Sequence, residues 1–304
     1  MTEMSADTPP EEKTPPTPEE LVDRLCRLLS VEEIDTDLHR GMRLPGGRGR
    51  VFGGQVIAQG LMAATRSIDD DKVAHSLHAY FMRPGDENYP IVYRVVRDFE
   101  GRSFATRRVI ALQRGKPILN MAASFQTRED GLHHQAPLPA VPPPEVLTSE
   151  QEHFRRNIEQ VPEPMRPFFL RPRPIEIRPV HPRSLLSPAS ARDPVSHSWF
   201  RAVAPVGDDA TMHRAILAYA SDMILLGTCM LPHGVNFTTP GLQTASLDHA
   251  LWIHEDFRVD DWLLYATDSP WAGHARGFNR GQIFTRDGRL VASVAQEGLM
   301  RLRG

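Results

Sequence analysis

The sequence predicts an α+β fold built from two similar halves, in each of which an antiparallel sheet wraps around one buried helix. Each half contains a helix-compatible segment that is almost free of charge, and about four strand-like runs follow each of these segments. HSLHAYFMR resembles ASLDHALWI, and NMAASFQ resembles LVASVAQ, which pairs Ser76 with Ser246 and Gln126 with Gln296. Both pairs lie 170 positions apart, and a shared offset indicates an internal duplication.

The first half begins after a segment that we predict to be disordered. Residues 1–20 contain five prolines, several acids and almost no bulky apolar residue, so they cannot bury enough surface to offset their ordering entropy. Apolar residues at helical spacing predict a short helix over Leu21–Ser30. Val51–Thr65 has no charge, which is typical of a buried helix. Strand-like runs follow at His75–Met82, Ile91–Arg97, Phe104–Leu112 and Ile118–Thr127, with a hairpin turn at QRGKP.

The composition changes between the halves. Residues 131–174 contain ten prolines without a sustained period, which predicts a linker between a first unit over 21–130 and a second over 175–304. A short helix is expected around Glu150–Glu159. In the second unit, Asp208 and Asp209 begin a helix that runs to about Leu226, with Gly227 as its C-terminal cap. Strand-like runs lie at Ile175–Val180, Ser198–Ala204, Ser246–His254, Trp262–Thr267, Arg280–Arg286 and Leu290–Arg301, with a hairpin turn at Asp287-Gly288.

The overall composition argues against several classes of protein. Lys and Arg number 35 against 38 Asp and Glu, so the basic excess of a nucleic-acid-binding protein is missing. The two cysteines, Cys26 and Cys229, are too few for a disulfide framework or a structural zinc site, and they favour a cytoplasmic location. We predict no membrane span, because the apolar stretches are short and rich in glycine, and no signal peptide.

Three polar residues occur in apolar surroundings in the second half. Asp222 is the only charge in AILAYASDMILL, and a carboxylate within an apolar helix costs several kcal/mol unless it is paired or hydrogen-bonded. Ser246 begins a strand, and Gln296 lies within the apolar strand VASVAQEGLM. From the residues alone, Asp222 could equally be a structural carboxylate, and the other two could be ordinary sheet residues with satisfied hydrogen bonds.

A sheet wrapped around a buried helix, made twice, is the double hotdog architecture, and this sequence resembles one family that has it. From about Leu21 to the C-terminus the chain is similar to the acyl-CoA thioesterase II family, the TesB-like thioesterases. The resemblance rests on the order of six segments: GGQVIAQ (53–59), HSLHAYFMRPGD (75–86), SDM (221–223), LDHALWIH (247–254), RGFNRG (276–281) and VAQEGLMR (294–301).

This resemblance implies hydrolysis of acyl-CoA to free fatty acid and coenzyme A, without a covalent enzyme intermediate. By the family pattern, Asp222 is the general base, and Ser246 and Gln296 hold the attacking water. Many members have Thr where this chain has Ser246, so the hydroxyl is kept and the methyl that restricts its rotamer is lost. A helix N-terminus would supply the oxyanion donor, and the sequence leaves open which of the two buried helices does so.

The remaining expectations concern substrate contacts and assembly. Gly54 and Gln55 are candidate substrate-binding residues at the first buried helix, and Arg276 and Arg280 are candidate contacts for coenzyme A phosphates. No metal and no other cofactor is expected, because coenzyme A is part of the substrate. Family resemblance also implies a role in fatty acid metabolism and a homodimer or homotetramer.

Two alternatives remain open at this point. The first is a hotdog-fold enoyl-CoA hydratase or dehydratase, in which Asp222 would act with His249 or His254. The second is a non-catalytic module that binds acyl-CoA. An α/β-hydrolase is disfavoured, because the sequence has no G-x-S-x-G nucleophile elbow.

Overall fold

The structure is a computed structural model, and it describes residues 15–43, 49–68, 71–182 and 190–303. The first half contains α1 (Pro18–Leu29), β1 (Val31–Asp35), β2 (Leu38–Gly41), α2 (Gly53–Thr65), β3 (Lys72–Phe81), β4 (Ile91–Glu100), β5 (Phe104–Gln113) and β6 (Lys116–Thr127). After it come α3 (Glu150–Arg156), α4 (Arg166–Leu170), β7 (Ile175–Pro179), β8 (Val195–Ala202), α5 (Ala210–Ile224), β9 (Leu242–Ser246), β10 (Asp248–Ile253), β11 (Leu263–Gly273), β12 (Arg276–Thr285) and β13 (Leu290–Leu302).

The strands form one continuous antiparallel sheet. Their order is β1-β2-β4-β5-β6-β3-β10-β13-β12-β11-β8-β7, and β9 pairs with β13. The sheets of the two halves meet edge to edge where β3 pairs with β10. The predicted α+β class is therefore confirmed, and the two predicted sheets are joined into one.

Two central helices, α2 and α5, lie against strands of this sheet and pack against each other. From Gly54 to Ala64, every residue of α2 is buried, and so are most residues of α5. A helix that is apolar on all sides finds no favourable contact with water, so it is stable only when both the sheet and a second helix cover it. The N-terminal end of α2 lies against α5, because a Cβ atom added to Gly54 would come within 2.4 Å of the Tyr219 carbonyl oxygen.

The two halves match strand for strand, but at an offset that differs from the predicted one. Alternate residues are buried in the same order in β5 and β12, so that Arg107 in β5 corresponds to Asn279 in β12, which lies 172 positions later. Ala123 lies opposite Arg107, and Gln296 lies opposite Asn279. Gln296 is thus the counterpart of Ala123, and the predicted equivalence of Gln126 with Gln296 is wrong.

Burial supports this correction. Gln296 is fully buried in β13, whereas Gln126 lies on the half-exposed face of β6. The second predicted equivalence is also wrong, because Ser76 lies within β3 while Ser246 belongs to the separate short strand β9. The predicted register is wrong by three residues, and any odd error in register exchanges the two faces of a strand. Sequence similarity at a constant offset could not detect this error.

Several predicted boundaries also change. The first helix begins at Pro18, inside the predicted tail, because Thr17 accepts a hydrogen bond from the Glu20 backbone N–H and caps the first turn. Residues 1–14 of that tail lie outside the described residues. Strands β1 and β2 were not expected. Gly227 does not cap α5, which continues into a 3-10 turn over Leu226–Thr228.

The two hairpin turns and the start of α5 agree with the predictions. Gly288 has φ 94°, and Arg114 and Gly115 both have positive φ, as tight hairpin turns between strands require. Asp209 caps α5 by accepting a hydrogen bond from the Thr211 N–H at 2.8 Å.

One segment, Ala210–His233, is long and apolar enough to cross a membrane by length and composition alone. In the fold, 78% of its most apolar window is buried inside the protein, as in the core helix of a globular domain.

Candidate active site

The carboxylate of Asp222 lies in the last turn of α5, enclosed by residues from both halves. Its side chain is only 3% exposed. The Oδ1 atom accepts two hydrogen bonds, from Gln296 Nε2 at 2.6 Å and from Ser246 Oγ at 3.1 Å. The three residues that the sequence singled out are therefore in direct contact, although they come from a helix and two different strands.

The N-terminus of α2 faces the same carboxylate. This helix has no side-chain cap of its own, since Phe52 is its N-cap residue and its first turn contains no acid. The Gly54 backbone forms a hydrogen bond with Asp222, and a Cβ added to Gly53 would come within 2.7 Å of Asp222 Oδ2. Asp222 thus caps α2 from a distant part of the chain, and the positive end of that helix stabilises its negative charge.

The position of α2 bears on the open question of the oxyanion donor. The N-terminus of α5 is at Asp209, 13 residues before Asp222, which is about 20 Å along a helix. Of the two central helices, α2 is therefore the one whose N-terminus lies beside Asp222.

A β-bulge orients Ser246 towards Asp222. Ser246 pairs with Gly298 and Ala250 pairs with Ala295, so the strand that contains β9 and β10 has one residue more than its partner β13 between these pairs. The side chain of Asp248 takes part in the bulge, because its Oδ1 accepts the Glu297 N–H at 2.6 Å. The extra residue reverses the inward–outward alternation, so Ser246 and His249 face the same side. The predicted strand Ser246–His254 is accordingly divided at Leu247.

His249 extends this hydrogen-bonded group into the core. It is fully buried, and its Nδ1 lies 3.0 Å from Gln296 Nε2, while its Nε2 lies 2.8 Å from Ser221 Oγ. The Ser221 hydroxyl donates in turn to the Ala218 carbonyl oxygen at 2.9 Å. In the hydratase alternative His249 would act with Asp222, and its Nδ1 lies 3.9 Å from Asp222 Oδ1.

Burial shifts the pKa values of both titratable groups towards their neutral forms. Desolvation raises the pKa of Asp222 to about 6, and the hydrogen bonds from Gln296, Ser246 and the Gly54 backbone limit the increase. Desolvation lowers the pKa of His249 to about 3. Near neutral pH the Asp222 carboxylate is therefore ionised and can accept a proton, whereas the His249 imidazole is neutral and does not act as an acid.

Gln296 has one side-chain atom, Oε1, without a hydrogen-bond partner among the described residues. The amide is fully buried, and its Oε1 accepts no hydrogen bond from the described residues, although its Nε2 donates twice. A buried acceptor without a donor costs about 1–3 kcal/mol. A water molecule or a substrate group with a free proton would satisfy this oxygen.

The other predicted substrate contacts lie apart from this group or are already paired. Gln55 is buried, and its Nε2 donates to the Met42 carbonyl oxygen at 3.2 Å. Arg276 and Arg280 lie on the exposed face of β12, where Arg276 Nε is 3.3 Å from Glu297 Oε1 and Arg280 Nε donates to Asp268 at 3.0 Å. The structure brings neither arginine to Asp222. Among the described ranges, no cluster of three or more His, Cys, Asp or Glu side chains suited to a metal is found.

Comparisons with known proteins agree on one family. A family model described as acyl-CoA thioesterase matches residues 175–299, and one described as the acyl-CoA thioesterase N-terminal domain matches residues 43–126. The chain is 40% identical to human acyl-coenzyme A thioesterase 8, over 91% of this chain and 88% of that protein. It is 37% identical to acyl-CoA thioesterase 2 of Haemophilus influenzae, over 93% of this chain and 98% of that protein.

A solved structure gives the same result for the fold. The crystal structure of an acyl-CoA thioesterase II, TesB2, from Mycobacterium marinum superposes with a TM-score of 0.75 and 41% identity, and the match covers 91% of this chain and 98% of that one.

Proposed function

This chain belongs to the acyl-CoA thioesterase family and is a thioester hydrolase, and we propose that it cleaves acyl-CoA by direct attack of a water molecule that Asp222 deprotonates. The observation that carries this proposal is a buried carboxylate with a pKa near 6 that is held by Gln296 and Ser246. A base is most effective when its pKa lies near the working pH.

The proposed reaction assigns a task to each group. Water binds between Gln296 Oε1, which needs a donor, and Asp222, which needs a proton. As Asp222 takes a proton, the hydroxide attacks the thioester carbonyl carbon, and the carbonyl oxygen becomes negative near the N-terminus of α2. The carbon–sulfur bond then breaks.

The leaving group does not require a dedicated acid. Thiols ionise near pH 8–9, with cysteine at about 8.5, so coenzyme A can leave as a thiolate and take up a proton afterwards. Asp222, with its pKa near 6, can return the proton to that sulfur or to water. Products are the free acid and coenzyme A, and the base is regenerated.

The environment of the histidines favours hydrolysis over hydration of an enoyl thioester. A hydratase of this fold would need an acid near the carbonyl, yet the Nε2 of His249 is hydrogen-bonded to Ser221 in the core, and the pKa of His249 is near 3. His254 bonds to Ser293 in an exposed position. Neither histidine is suited to donate a proton to a substrate held at Asp222.

An assay of thiol release tests this proposal. Saturated acyl-CoA esters of increasing chain length, and an enoyl-CoA, are incubated with the wild type and with Asp222→Asn. We expect thiol release by the wild type that depends on Asp222. Hydration of the enoyl-CoA without free thiol would support the hydratase instead, and tight acyl-CoA binding without turnover would support a binding module.

The cellular location, the metabolic role and the assembly of this protein remain predictions. A cytoplasmic location is the prediction from the low cysteine content, while participation in fatty acid metabolism and a homodimer or homotetramer are predictions from family resemblance. Size-exclusion chromatography with light scattering would measure the assembly.

A further inference from the structure

We propose that His249 is a positioning residue, whose unprotonated Nδ1 fixes the side-chain amide of Gln296 so that Nε2 faces Asp222 and Oε1 faces the attacking water. The inference rests on the proposed function, because it assigns the way in which the Gln296 amide is held for that reaction.

The hydrogen bonds around His249 allow one assignment of protons. Gln296 Nε2 has two hydrogens, and its two neighbours are Asp222 Oδ1 at 2.6 Å and His249 Nδ1 at 3.0 Å. If both hydrogens are donated, Nδ1 must be an acceptor, so the imidazole proton is on Nε2. That proton is donated to Ser221 Oγ at 2.8 Å, and Ser221 donates its own proton to the Ala218 carbonyl oxygen. Each donor in this chain then has one acceptor.

The reversed orientation of the amide is unfavourable on two sides. If the amide rotated by half a turn, Oε1 would face the Asp222 carboxylate and the lone pair on His249 Nδ1, and both contacts would bring two acceptors together. Only a proton on Nδ1 would favour that orientation. Burial keeps the imidazole neutral, with a single ring proton. Because Ser221 donates its own proton to the Ala218 carbonyl oxygen, the Ser221 oxygen accepts from Nε2, and the ring proton is on Nε2 rather than on Nδ1.

Fixing Nε2 in this way leaves Oε1 without a protein donor. A freely rotating amide would place its oxygen wherever a donor is available, because an unpaired buried oxygen costs about 1–3 kcal/mol. Gln296 instead keeps a buried Oε1 without a partner among the described residues. Because Oε1 is held in a fixed position and lies beside the proposed general base, it is suited to accept a hydrogen bond from a water molecule and orient it.

The first half shows that the fold itself does not require this histidine. His249 precedes Ala250, which pairs with Ala295, so His249 lies opposite Gln296 across the two strands. The corresponding pair in the first half is Leu77 opposite Ala123, and both of these are buried and apolar. A merely structural residue at this place can thus be aliphatic, which makes the polar pair in the second half a feature of the site.

Three substitutions of His249 separate positioning from packing. In His249→Asn the amide oxygen can occupy the place of Nδ1 and accept from Gln296. In His249→Gln the terminal nitrogen can reach the place of Nε2 and donate to Ser221, but no acceptor faces Gln296. His249→Leu removes both the acceptor and the donor, and it introduces the residue type that the first half has at this place, Leu77. His254→Leu, at a histidine outside the site, is the matched control.

We expect His249→Gln and His249→Leu to lower kcat about 100-fold with KM changed less than about threefold, because misplacing a reacting group by about 1 Å costs on this order. His249→Asn should recover at least tenfold of that loss, and His254→Leu should behave as the wild type. Wild-type kcat in His249→Leu, or equal losses in the Asn and Gln variants, would overturn the proposal.

Nitrogen NMR of the histidine rings in the folded wild type provides a second readout that needs no altered protein. We expect the His249 proton on Nε2, and a proton on Nδ1 would overturn the proposal whatever the variants do. The proposed function fails separately: if Asp222→Asn retains full thiol release, the base is misassigned, whereas an inactive Asp222→Asn beside a fully active His249→Leu rejects only the role of His249.

Discussion

The two halves differ at matching places on three neighbouring strands. In the first half, the places on β5, β6 and β3 hold Arg107, Ala123 and Leu77. In the second half, the same places on β12, β13 and β10 hold Asn279, Gln296 and His249. The scaffold around them is shared. Tyr93 and Tyr265, also 172 positions apart, are both buried and both bond to a central helix, through Gln59 and the Ser221 carbonyl oxygen respectively. Gln296 and His249 thus stand where the first half has the apolar Ala123 and Leu77, and α5 has an acid, Asp222, whereas α2 has none. The comparison indicates that the fold tolerates either an apolar or a polar pair at these two places, which fits the proposed role of the polar pair.

The two halves differ in the same way in the hydrogen bonds of two fully buried glutamines, Gln59 and Gln296. In the first half, Gln59 Nε2 donates to the carbonyl oxygens of Leu28 at 2.5 Å and Met42 at 2.8 Å, and its Oε1 accepts from Tyr93 at 2.8 Å. In the second half, Gln296 leaves Oε1 without a partner among the described residues. A satisfied amide stabilises the fold, whereas an amide with one open position is available to a ligand.

The largest expected effect concerns Asp222, the acid that α5 has and α2 lacks. Asp222→Asn removes the proposed base, and steady-state thiol release should show kcat reduced about 1,000-fold, within the range for general-base catalysis. Asp208→Asn, an exposed acid just before the same helix, is the matched control and should stay within about twofold of the wild type. Comparable activity of the two variants would remove the distinction between the halves.

Substitution of the two buried glutamines should have different effects on kcat. Gln296→Ala should lower kcat about 100-fold, and it should also lower the free energy of unfolding, because it leaves the buried groups of Asp222 and His249 without their donor. Gln59→Ala leaves the Tyr93 hydroxyl and the Leu28 carbonyl unpaired and removes one of two donors from the Met42 carbonyl, so it should lower the free energy of unfolding by about 3 kcal/mol with kcat nearly unchanged. Both quantities are measured on the same preparations. A slow Gln59→Ala beside a Gln296→Ala with wild-type kcat would reverse the contrast.

The fold class and the two central helices could be predicted from the sequence, because an apolar segment without charge and alternating strands are local patterns. The contact of Asp222, Ser246 and Gln296 was expected from the resemblance to a family, and the structure brings the three together.

What could not be predicted depends on register and on contacts between distant residues. The bulge at Leu247 turns Ser246 inwards, and it arises from one extra residue that leaves no local signature. The capping of α2 by Asp222 joins residues about 170 positions apart. A hint was present in the start of α2, where Phe52, Gly53 and Gly54 offer no side chain to cap the helix.

A smaller and graded effect follows from the pKa of Asp222. The base is active when it is deprotonated, so kcat/KM should be constant above pH about 6 and fall about tenfold for each pH unit below that value. A pH profile on a short acyl-CoA measures this. An acid limb near pH 4, the ordinary range of an exposed aspartate, would show that burial does not tune the base.

The smallest expected effect is at Ser246, whose hydroxyl donates the longer of the two bonds to Asp222. Ser246→Ala should lower kcat about tenfold, since one hydrogen bond to a charged group contributes about 1.5–3 kcal/mol. Because that bond lowers the pKa of Asp222, its loss should also move the acid limb to higher pH. Ser76→Ala, in the first half, should leave both quantities unchanged, and a shift in Ser76→Ala alone would contradict the comparison.

Direct attack by water is most directly tested with oxygen-18 water in a single turnover, with enzyme in excess over acyl-CoA. If Asp222 acts as a base, the free acid from the first turnover contains one oxygen-18 atom and the peptide with Asp222 remains unlabelled. If Asp222 instead attacked the thioester itself, an anhydride would form, and addition of water at its Asp222 carbonyl carbon would release a first acid without label and make the Asp222 peptide heavier. That result would contradict the proposed mechanism.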